Sequence, residues 1–234
     1  MELGAGNGAL AERLKSMDLL PPLLFDHDGA LLRAALVRLH GGKGERFDAP
    51  RKLAAVTAQA EHLPLADASL SGAVVADLLR QIPRSRRTSV AQELFRSLRP
   101  GGCVILLEDA PAARNEAEKN YRRALALLAQ AQPWRAEATM EPTEGRSLFS
   151  PFFGAPSDEG SQDNRLEVAD PSAPLRWLRE WSRQQRRGEA LLAERWSRFQ
   201  EELDQLEKDV ETHGMRYGQY WYQIFQRNTR GSTA

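Results

Sequence analysis

The sequence predicts an α/β protein with a doubly wound, mostly parallel sheet and a helical C-terminal elaboration. Two observations lead to this prediction. Over the first 110 residues, short apolar runs alternate with stretches of helical periodicity, which is the βαβ pattern. The runs are continuous in Leu, Val and Ile, as expected for strands that helices cover on both faces. A chain of 234 residues can bury one such core and a modest additional unit.

The individual strands and helices follow from local sequence. The strand candidates are "PPLLFDH", "KLAAVTA", "GAVVADLL" and "CVILLED", and "GALLRAALVRLH" is the clearest helix between them. The fourth strand contains Cys103, the one cysteine of the chain. We interpret Cys103 as a small apolar core residue because nothing beside it would activate its thiol as a nucleophile.

The composition changes after Glu108. The segment "PAARNEAEKNYRRALALLAQAQ" is predicted to be a helix, and a Pro/Gly/Ser-rich stretch, "EPTEGRSLFSPFFGAPSDEGSQDNRLEVADPSAP", follows it. We interpret that stretch as an irregular loop and a candidate lid. The predicted division is therefore residues 1–110, the α/β core; 111–172, a helix and a long loop; and 173–234, an amphipathic helix and a final strand that complete the domain.

The last region combines an aromatic-rich helix with a late strand. One apolar seam recurs at steps of four and three residues: Leu192, Trp196, Phe199, Leu203, Leu206 and Val210. We expect this helix to pack near the C-terminal ends of the strands and to help form a pocket for a substrate, or else to hold a protein partner. The alternation in "QYWYQIFQRN" predicts an antiparallel strand at or near the sheet edge.

Composition limits the partners and the location. Lys+Arg and Asp+Glu are both 32, so no overall basic charge supports binding to nucleic acid, and "RQQRRGE" is interpreted as a solvated helix face. No apolar run approaches the roughly 20 residues that cross a bilayer, and the N-terminus lacks the pattern of a signal peptide. A single cysteine fits a reducing compartment. We expect a cytoplasmic protein without a membrane partner or a metal site.

The opening "MELGAGNGAL" has the glycine spacing of a cofactor loop between a strand and a helix. Gly4, Gly6 and Gly8 fit G-x-G-x-G, whereas Gly4, Gly6 and Ala9 fit the dinucleotide pattern G-x-G-x-x-G/A. Either version would place backbone N–H groups and a helix N-terminus beside the ligand. The loop alone therefore leaves a nicotinamide-dependent oxidoreductase open as one interpretation.

A longer stretch favours one family. The segments "AQAEHLPLADASLSGAVVADLLRQIP" and "LFRSLRPGGCVILLED" resemble the class I S-adenosylmethionine-dependent methyltransferases. The positions in register are Leu63, Pro64, Asp67, Ser69, Pro83 and residues 98–102. The resemblance covers about the first 110 residues and implies a Rossmann-like methyltransferase fold that binds S-adenosylmethionine. It implies methyl transfer to an unidentified acceptor, for which we favour a small molecule.

The resemblance also implies the residues that hold the cofactor. Its glycine loop corresponds to Gly4, Ala5, Gly6 and Gly8, preceded by the acidic residue Glu2. Asp26 would accept the ribose hydroxyls, although an N-cap of the following helix is its alternative interpretation. The remaining positions are His27, over the adenine or in an exposed loop; Gln59 and Ala60, at the nucleobase; and Asp77, beside the charged end of the cofactor.

The departures from the family pattern leave other functions open. Leu70, Ser71 and Gln81 replace its usual Phe, Asp and His, and little of the first strand precedes Gly4. Either the chain starts downstream of the true beginning or a reduced fold is tolerated. A methyltransferase-fold subunit that binds a protein partner and does not catalyse is the alternative to an active enzyme. We predict no catalytic residue, with His213 and Tyr217 considered as a base or an acceptor ligand.

Overall fold

A computed structural model of the chain describes residues 1–19, 23–39, 53–131, 139–163, 173–185 and 193–229. The first half contains β1 (Glu2–Leu3), α1 (Ala9–Ser16), β2 (Leu23–Asp26), α2 (Gly29–Leu39), β3 (Ala54–Thr57), β4 (Leu70–Ala76), α3 (Arg84–Ser97) and β5 (Leu98–Asp109). The second half contains α4 (Glu116–Ala131), α5 (Pro142–Phe153), β6 (Asp158–Asp163), α6 (Ala173–Gln185), α7 (Ala193–His213) and β7 (Gln219–Gln226). A short 3₁₀ turn, Leu79–Gln81, precedes α3.

The described strands form one seven-stranded sheet in the order β3-β2-β1-β4-β5-β7-β6. Strands β1 to β5 run parallel to one another, and β7 is antiparallel to both β5 and β6. The two residues of β1 lie in the middle of the sheet, where Leu3 pairs with Phe25 on one side and Val75 on the other. The predicted doubly wound, mostly parallel fold and the antiparallel final strand are therefore confirmed.

Helices cover both faces of the sheet, as the continuous apolar strands predicted. Consecutive residues of a strand point to opposite faces, and Leu24 and Phe25 of β2 belong to different apolar clusters. Leu24 packs with residues of α1 and α2, whereas Phe25 belongs to the larger cluster that includes residues of α3 and α5. The parallel sheet is thus a central layer between two layers of helices.

The structure corrects the predicted loop after residue 140. Residues 142–153 form α5, and residues 158–163 form the edge strand β6. Phe149 and Phe153 of α5 are buried in the main core and pack against Phe225 of β7, so this part of the chain is not a lid. These aromatic residues have a helical spacing, but the Pro/Gly/Ser-rich composition of the segment led to the prediction of a loop. Strand β6 was missed because its exposed side chains carry no apolar pattern and backbone pairing to β7 holds it.

Helices α4, α6 and α7 form a unit of their own, which we call the three-helix unit. Its apolar cluster includes Leu125, Leu178 and Leu203, one residue from each helix. It joins the sheet at the carboxyl end of β5, where Arg122 of α4 donates to the Ala110 carbonyl. The predicted seam of α7 faces this cluster, except that Leu192 lies outside the described residues.

Across the described ranges, no helix combines the length and apolar character needed to cross a membrane.

Candidate functional site

The glycines after β1 have two different structural roles. Gly4, Gly6 and Gly8 all have positive φ angles, of 76°, 52° and 78°. A Cβ on Gly4 would lie 2.9 Å from the Leu78 side chain, and one on Gly8 would lie 2.8 Å from Ala35 Cβ. A Cβ on Gly6 would meet no described atom within 4 Å. Gly4 and Gly8 are therefore required for packing, while Gly6 borders open space that a ligand can occupy.

Asp26 is the last residue of β2, and backbone donors hold its carboxylate in place. Its Oδ2 accepts from the Gly6 N–H at 2.8 Å, and its Oδ1 accepts from the Asp28 N–H at 2.9 Å. The His27 Nδ1 lies 3.1 Å from the same Oδ1. The N-cap of α2 is Asp28, whose Oδ1 accepts from the Ala30 N–H at 2.7 Å. The alternative interpretation of Asp26 as the N-cap is therefore wrong. Its carboxylate instead binds the backbone of the glycine loop at Gly6.

Glu2 is a buried acid without a hydrogen bond at one oxygen. It is 3% exposed, and its Oε2 has no hydrogen-bond partner among the described residues. Burial raises the pKa of Glu2 to about 7; the N-terminal ammonium opposes this rise and Asp26 adds to it. An unsatisfied buried carboxylate is costly. A ligand that brought a donor or a positive charge to Glu2 would relieve that cost.

A cavity of about 380 Å³ lies beside the glycine loop. Six of the predicted positions line it: Gly4, Gly6, Asp26, His27, Gln59 and Ala60. Four do not line it: Glu2, Ala5, Gly8 and Asp77. Ala5 packs in the cluster of α1 and α2. The structure therefore brings residues that follow β1, β2 and β3 together around one concave space.

Part of the cavity wall comes from residues that sequence analysis did not assign to the site. They are Leu3, Asn7, Leu31, Ala58, Glu61, Leu78, Gln81, Ile82, Pro83 and Arg86. Arg87 fixes part of this wall: its Nε donates to the Ile82 carbonyl at 2.8 Å, and its guanidinium pairs with Glu144 of α5. Pro83 was the one available signal, because it matched the family pattern in register.

A second charged group lies where β4 and β5 end, and we call it the strand-end cluster: Asp77, Arg80, Glu108 and Asp109. The Arg80 guanidinium lies 3.3 Å from Asp77 Oδ1, 3.4 Å from Glu108 Oε2 and 3.5 Å from Asp109 Oδ2. Glu108 Oε1 accepts from the Leu79 N–H at 2.8 Å. Asp77 has a positive φ of 52°, which is uncommon for a residue with a side chain. Asp77 is thus an ion-pair partner of Arg80.

Glu108 and Asp109 of the strand-end cluster hold their protons unusually tightly. Burial, together with the Asp77 charge, raises the pKa of Glu108 to about 8 and that of Asp109 to about 7, although Arg80 opposes both shifts. Tyr121 of α4 donates its hydroxyl to Asp109 Oδ2 at 3.4 Å. The Tyr121 and Tyr217 rings meet edge to face, with centroids 4.7 Å apart. Carboxyls with such pKa values can exchange protons near neutral pH.

The two late candidates occupy different places. Tyr217 is partly buried beside Tyr121, and burial, with the charges of Asp109 and Asp77, raises the pKa of its hydroxyl. His213 is the last residue of α7 and is exposed. Tyr217 therefore adjoins the strand-end cluster, whereas His213 is in a solvent-exposed helix end.

The comparisons with known proteins agree with this geometry. Residues 1–106 match the family model described as "Methyltransferase domain". No curated protein sequence matches the chain.

Solved structures match the fold over nearly the whole chain. A candidate methyltransferase from Bacillus halodurans is 13% identical with a TM-score of 0.61, covering 97% of this chain and 91% of its own. A SAM-dependent methyltransferase from Methanosarcina mazei is 16% identical with a TM-score of 0.57, covering 98% and 92%. The [4+2]-cyclase SpnF is 13% identical with a TM-score of 0.59, covering 98% and 74%.

At these identities the solved structures establish the fold, and the family model together with the glycine loop establishes the cofactor class. S-adenosylmethionine is the cofactor of this family. Residues 1–106 of the chain therefore form a class I S-adenosylmethionine-dependent methyltransferase domain.

Proposed function

We propose that the chain transfers the methyl group of S-adenosylmethionine to a small-molecule acceptor. The cofactor would occupy the cavity beside Gly6, and the acceptor would lie near the carboxyl ends of β4 and β5. One observation carries this proposal: the open space at Gly6 adjoins the Asp26 carboxylate, which the Gly6 N–H holds at 2.8 Å. A matched family model over residues 1–106 supports the reaction type.

The residues of the cavity fit the parts of this cofactor. Each Asp26 oxygen accepts one backbone N–H. Oδ2, which has no further contact of this kind among the described residues, retains a lone pair for a ribose hydroxyl, whereas Oδ1 also lies 3.1 Å from His27 Nδ1. Gln59 offers an amide oxygen and an amide N–H to the nucleobase edge. Glu2 does not line the cavity but precedes Leu3, which does, and its buried carboxylate with the unpartnered Oε2 suits the amino group of the methionine part. A nearby ammonium would favour the ionised form of Glu2.

The bound cofactor supplies an electrophilic methyl group on a sulfonium. The protein contributes mainly orientation and exclusion of water, because the transfer is an in-line displacement. The three-helix unit, joined to the sheet at Ala110, supports a role as the cover of the acceptor site. An acceptor N–H or O–H must also lose a proton. Asp109, with a pKa of about 7, is a suitable proton acceptor in the strand-end cluster.

The strand-end cluster is connected directly to the cofactor cavity through the backbone. Leu78 lines the cavity, and it stands between Asp77 and the Leu79 N–H that binds Glu108. A shift of the 77–79 segment would therefore act on both sites. This continuity supports placing the acceptor next to the cluster.

A second candidate function is a subunit that binds a protein partner. The observation that favours it is Trp177, which is 40% exposed and stacks on Trp181 with centroids 6.4 Å apart. However, Phe199 and Leu203 of α7 are buried against other helices of this same chain. Most apolar side chains of the α7 seam are thus buried within this chain and are not available to a protein partner. This burial supports the enzyme over the partner-binding subunit. We also propose a cytoplasmic location, which the lone Cys103 supports.

Thermal unfolding with S-adenosylhomocysteine tests the proposed function. At about 100 times its Kd the ligand should stabilise the fold by about 2.7 kcal/mol and raise Tm by roughly 5–10 °C. NAD under the same conditions should have little effect. Stabilisation by NAD alone would contradict the proposal.

A pair of glycine variants locates the binding site. Gly6 and Gly214 both have positive φ and no described atom within 4 Å of a built Cβ. Gly6→Leu and Gly214→Leu should therefore lose similar backbone stability. Only Gly6→Leu should abolish the rise in Tm with S-adenosylhomocysteine, because its side chain would fill the cavity. Equal binding by both variants would place the ligand elsewhere.

A further inference from the structure

An ion pair joins two walls of the cofactor cavity that are distant in the sheet. Glu61 follows β3 and Arg86 lies in the first turn of α3, after β4, and both residues line the cavity. Strands β2 and β1 separate β3 from β4 in the sheet order. Arg86 Nε nevertheless lies 2.6 Å from Glu61 Oε1. The pair therefore bridges the cavity from one side to the other.

The different burial of the two side chains indicates that Glu61 positions Arg86. The Glu61 side chain is 6% exposed, whereas the Arg86 side chain is 52% exposed. A buried carboxylate requires a donor, so Glu61 restricts the orientation of the guanidinium. Arg86 is thus a planar cation at the cavity wall with part of its surface still accessible. Such a group has the shape and charge to pack on an aromatic ring.

The bridge is not needed to hold the surrounding backbone together. On the same helix, Glu93 Oε1 accepts from the Leu63 N–H at 2.8 Å, and Arg96 Nη1 donates to the Leu65 carbonyl at 2.8 Å. These contacts tie the segment after Glu61 to α3 independently. The Glu61–Arg86 pair can therefore serve the ligand instead of the fold.

We propose that Arg86, held by Glu61, is a cofactor-binding residue whose guanidinium packs on the adenine ring. The inference rests on the proposed function. It assigns Arg86 to the nucleoside end because Glu61 directly follows Gln59 and Ala60, the positions expected at the nucleobase. His27 and Leu31, from the β2 side, complete the walls around the ring.

Calorimetric titration with S-adenosylhomocysteine and with adenosine tests this role. Arg86→Ala should weaken binding of both ligands by the same factor, about tenfold, because the lost contact is to the nucleoside that they share. Arg86→Lys should recover little, since an ammonium lacks the planar face. Glu61→Gln should weaken both ligands by a smaller factor, because the guanidinium loses its anchor. The exposed Arg99, outside the cavity, provides the matched control Arg99→Ala, which should bind both ligands normally.

The outcomes separate this inference from the proposed function. Unchanged adenosine affinity in folded Arg86→Ala would overturn the role of Arg86 while leaving the proposed function intact. Weaker binding of S-adenosylhomocysteine with unchanged adenosine affinity would place Arg86 at another part of the cofactor and overturn it as well. If the unmodified chain bound neither ligand, that result would contradict the proposed function itself and, with it, the role of Arg86. The Tm of each variant without ligand establishes that it is folded.

Discussion

Two buried glutamates, one in each part of the molecule, have opposite electrostatic environments. Glu108 ends β5 in the α/β core and Glu118 lies in the first turn of α4, and their side chains are 1% and 0% exposed. Glu108 shares Arg80 with two other carboxylates. Glu118 accepts from Arg114 at 2.8 Å and from Arg216 at 3.0 Å.

The pKa values of the two glutamates follow from these partners. Burial and neighbouring acids raise the pKa of Glu108 to about 8. Burial also opposes ionisation of Glu118, yet hydrogen bonds from Arg114 and Arg216 lower its pKa to about 2. Balanced charge at Glu118 joins the helices to their surroundings, whereas surplus negative charge at the strand ends marks a site that can take up protons or a positively charged group. The comparison thus distinguishes a structural ion-pair group at Glu118 from the strand-end cluster, for which we propose a function.

Removing Arg80 should have the largest effect. Arg80→Met leaves Asp77, Glu108 and Asp109 together without that guanidinium, and we expect a loss of about 3–5 kcal/mol in the free energy of unfolding at pH 8.5. The loss should be smaller at pH 5.5, where Glu108 and Asp109 are protonated. Urea unfolding at both pH values measures it. In the control Arg216→Met, Glu118 retains Arg114, so the loss should be minor; an equal loss for Arg80→Met at the two pH values would contradict the assignment.

Neutralising Asp109 should separate activity from stability. Asp109→Asn removes the proposed proton acceptor, and we expect methyl transfer to slow about 100-fold. Stability at pH 8 should not fall, because the neutral amide avoids burial of a charge. In the unmodified chain the rate should rise as pH increases through about 7, since Asp109 then loses its proton. Steady-state rates measured against pH, together with Tm, test both expectations.

Asp163→Asn provides the matched control for this substitution. Asp163 is an exposed partner of Arg114, the guanidinium that also binds Glu118. Its substitution should leave the rate unchanged. A similar loss of rate in both variants would show that the effect is not specific to the strand-end cluster.

Neutralising Glu118 should change stability alone. Glu118→Gln loses charge-assisted hydrogen bonds at a buried position, and we expect about 2 kcal/mol of destabilisation at pH 7. Because the folded-state pKa is lowered, this contribution is present above the ordinary pKa of 4.5 and is lost as pH falls toward 2. Urea unfolding between pH 2.5 and pH 7 checks the trend. Weakened binding of S-adenosylhomocysteine in the folded variant would contradict a purely structural role.

The core of the fold and part of the site follow from local sequence. The strands of the core are continuous apolar runs, and a run of that kind must be buried whatever surrounds it. The glycine loop and Asp26 were recognisable because positive φ and a strand-end acid have direct sequence correlates. Helix α5 and strand β6 were not recognisable from sequence. Helix α5 contains Pro, Gly and Ser residues that are uncommon inside helices, and β6 is held by backbone pairing to β7.

The sequence by itself determined the parallel sheet, the order of its core elements and the cofactor loop, because each depends on a short segment and its own backbone preferences. Tertiary structure alone decided that Glu61 meets Arg86 across two strands, and that Arg80 lies among three carboxylates. Nothing in the spacing of these residues indicates their contact. Charged pairs of this kind depend on which strand ends share an edge of the sheet, and that is set only when the whole sheet has assembled.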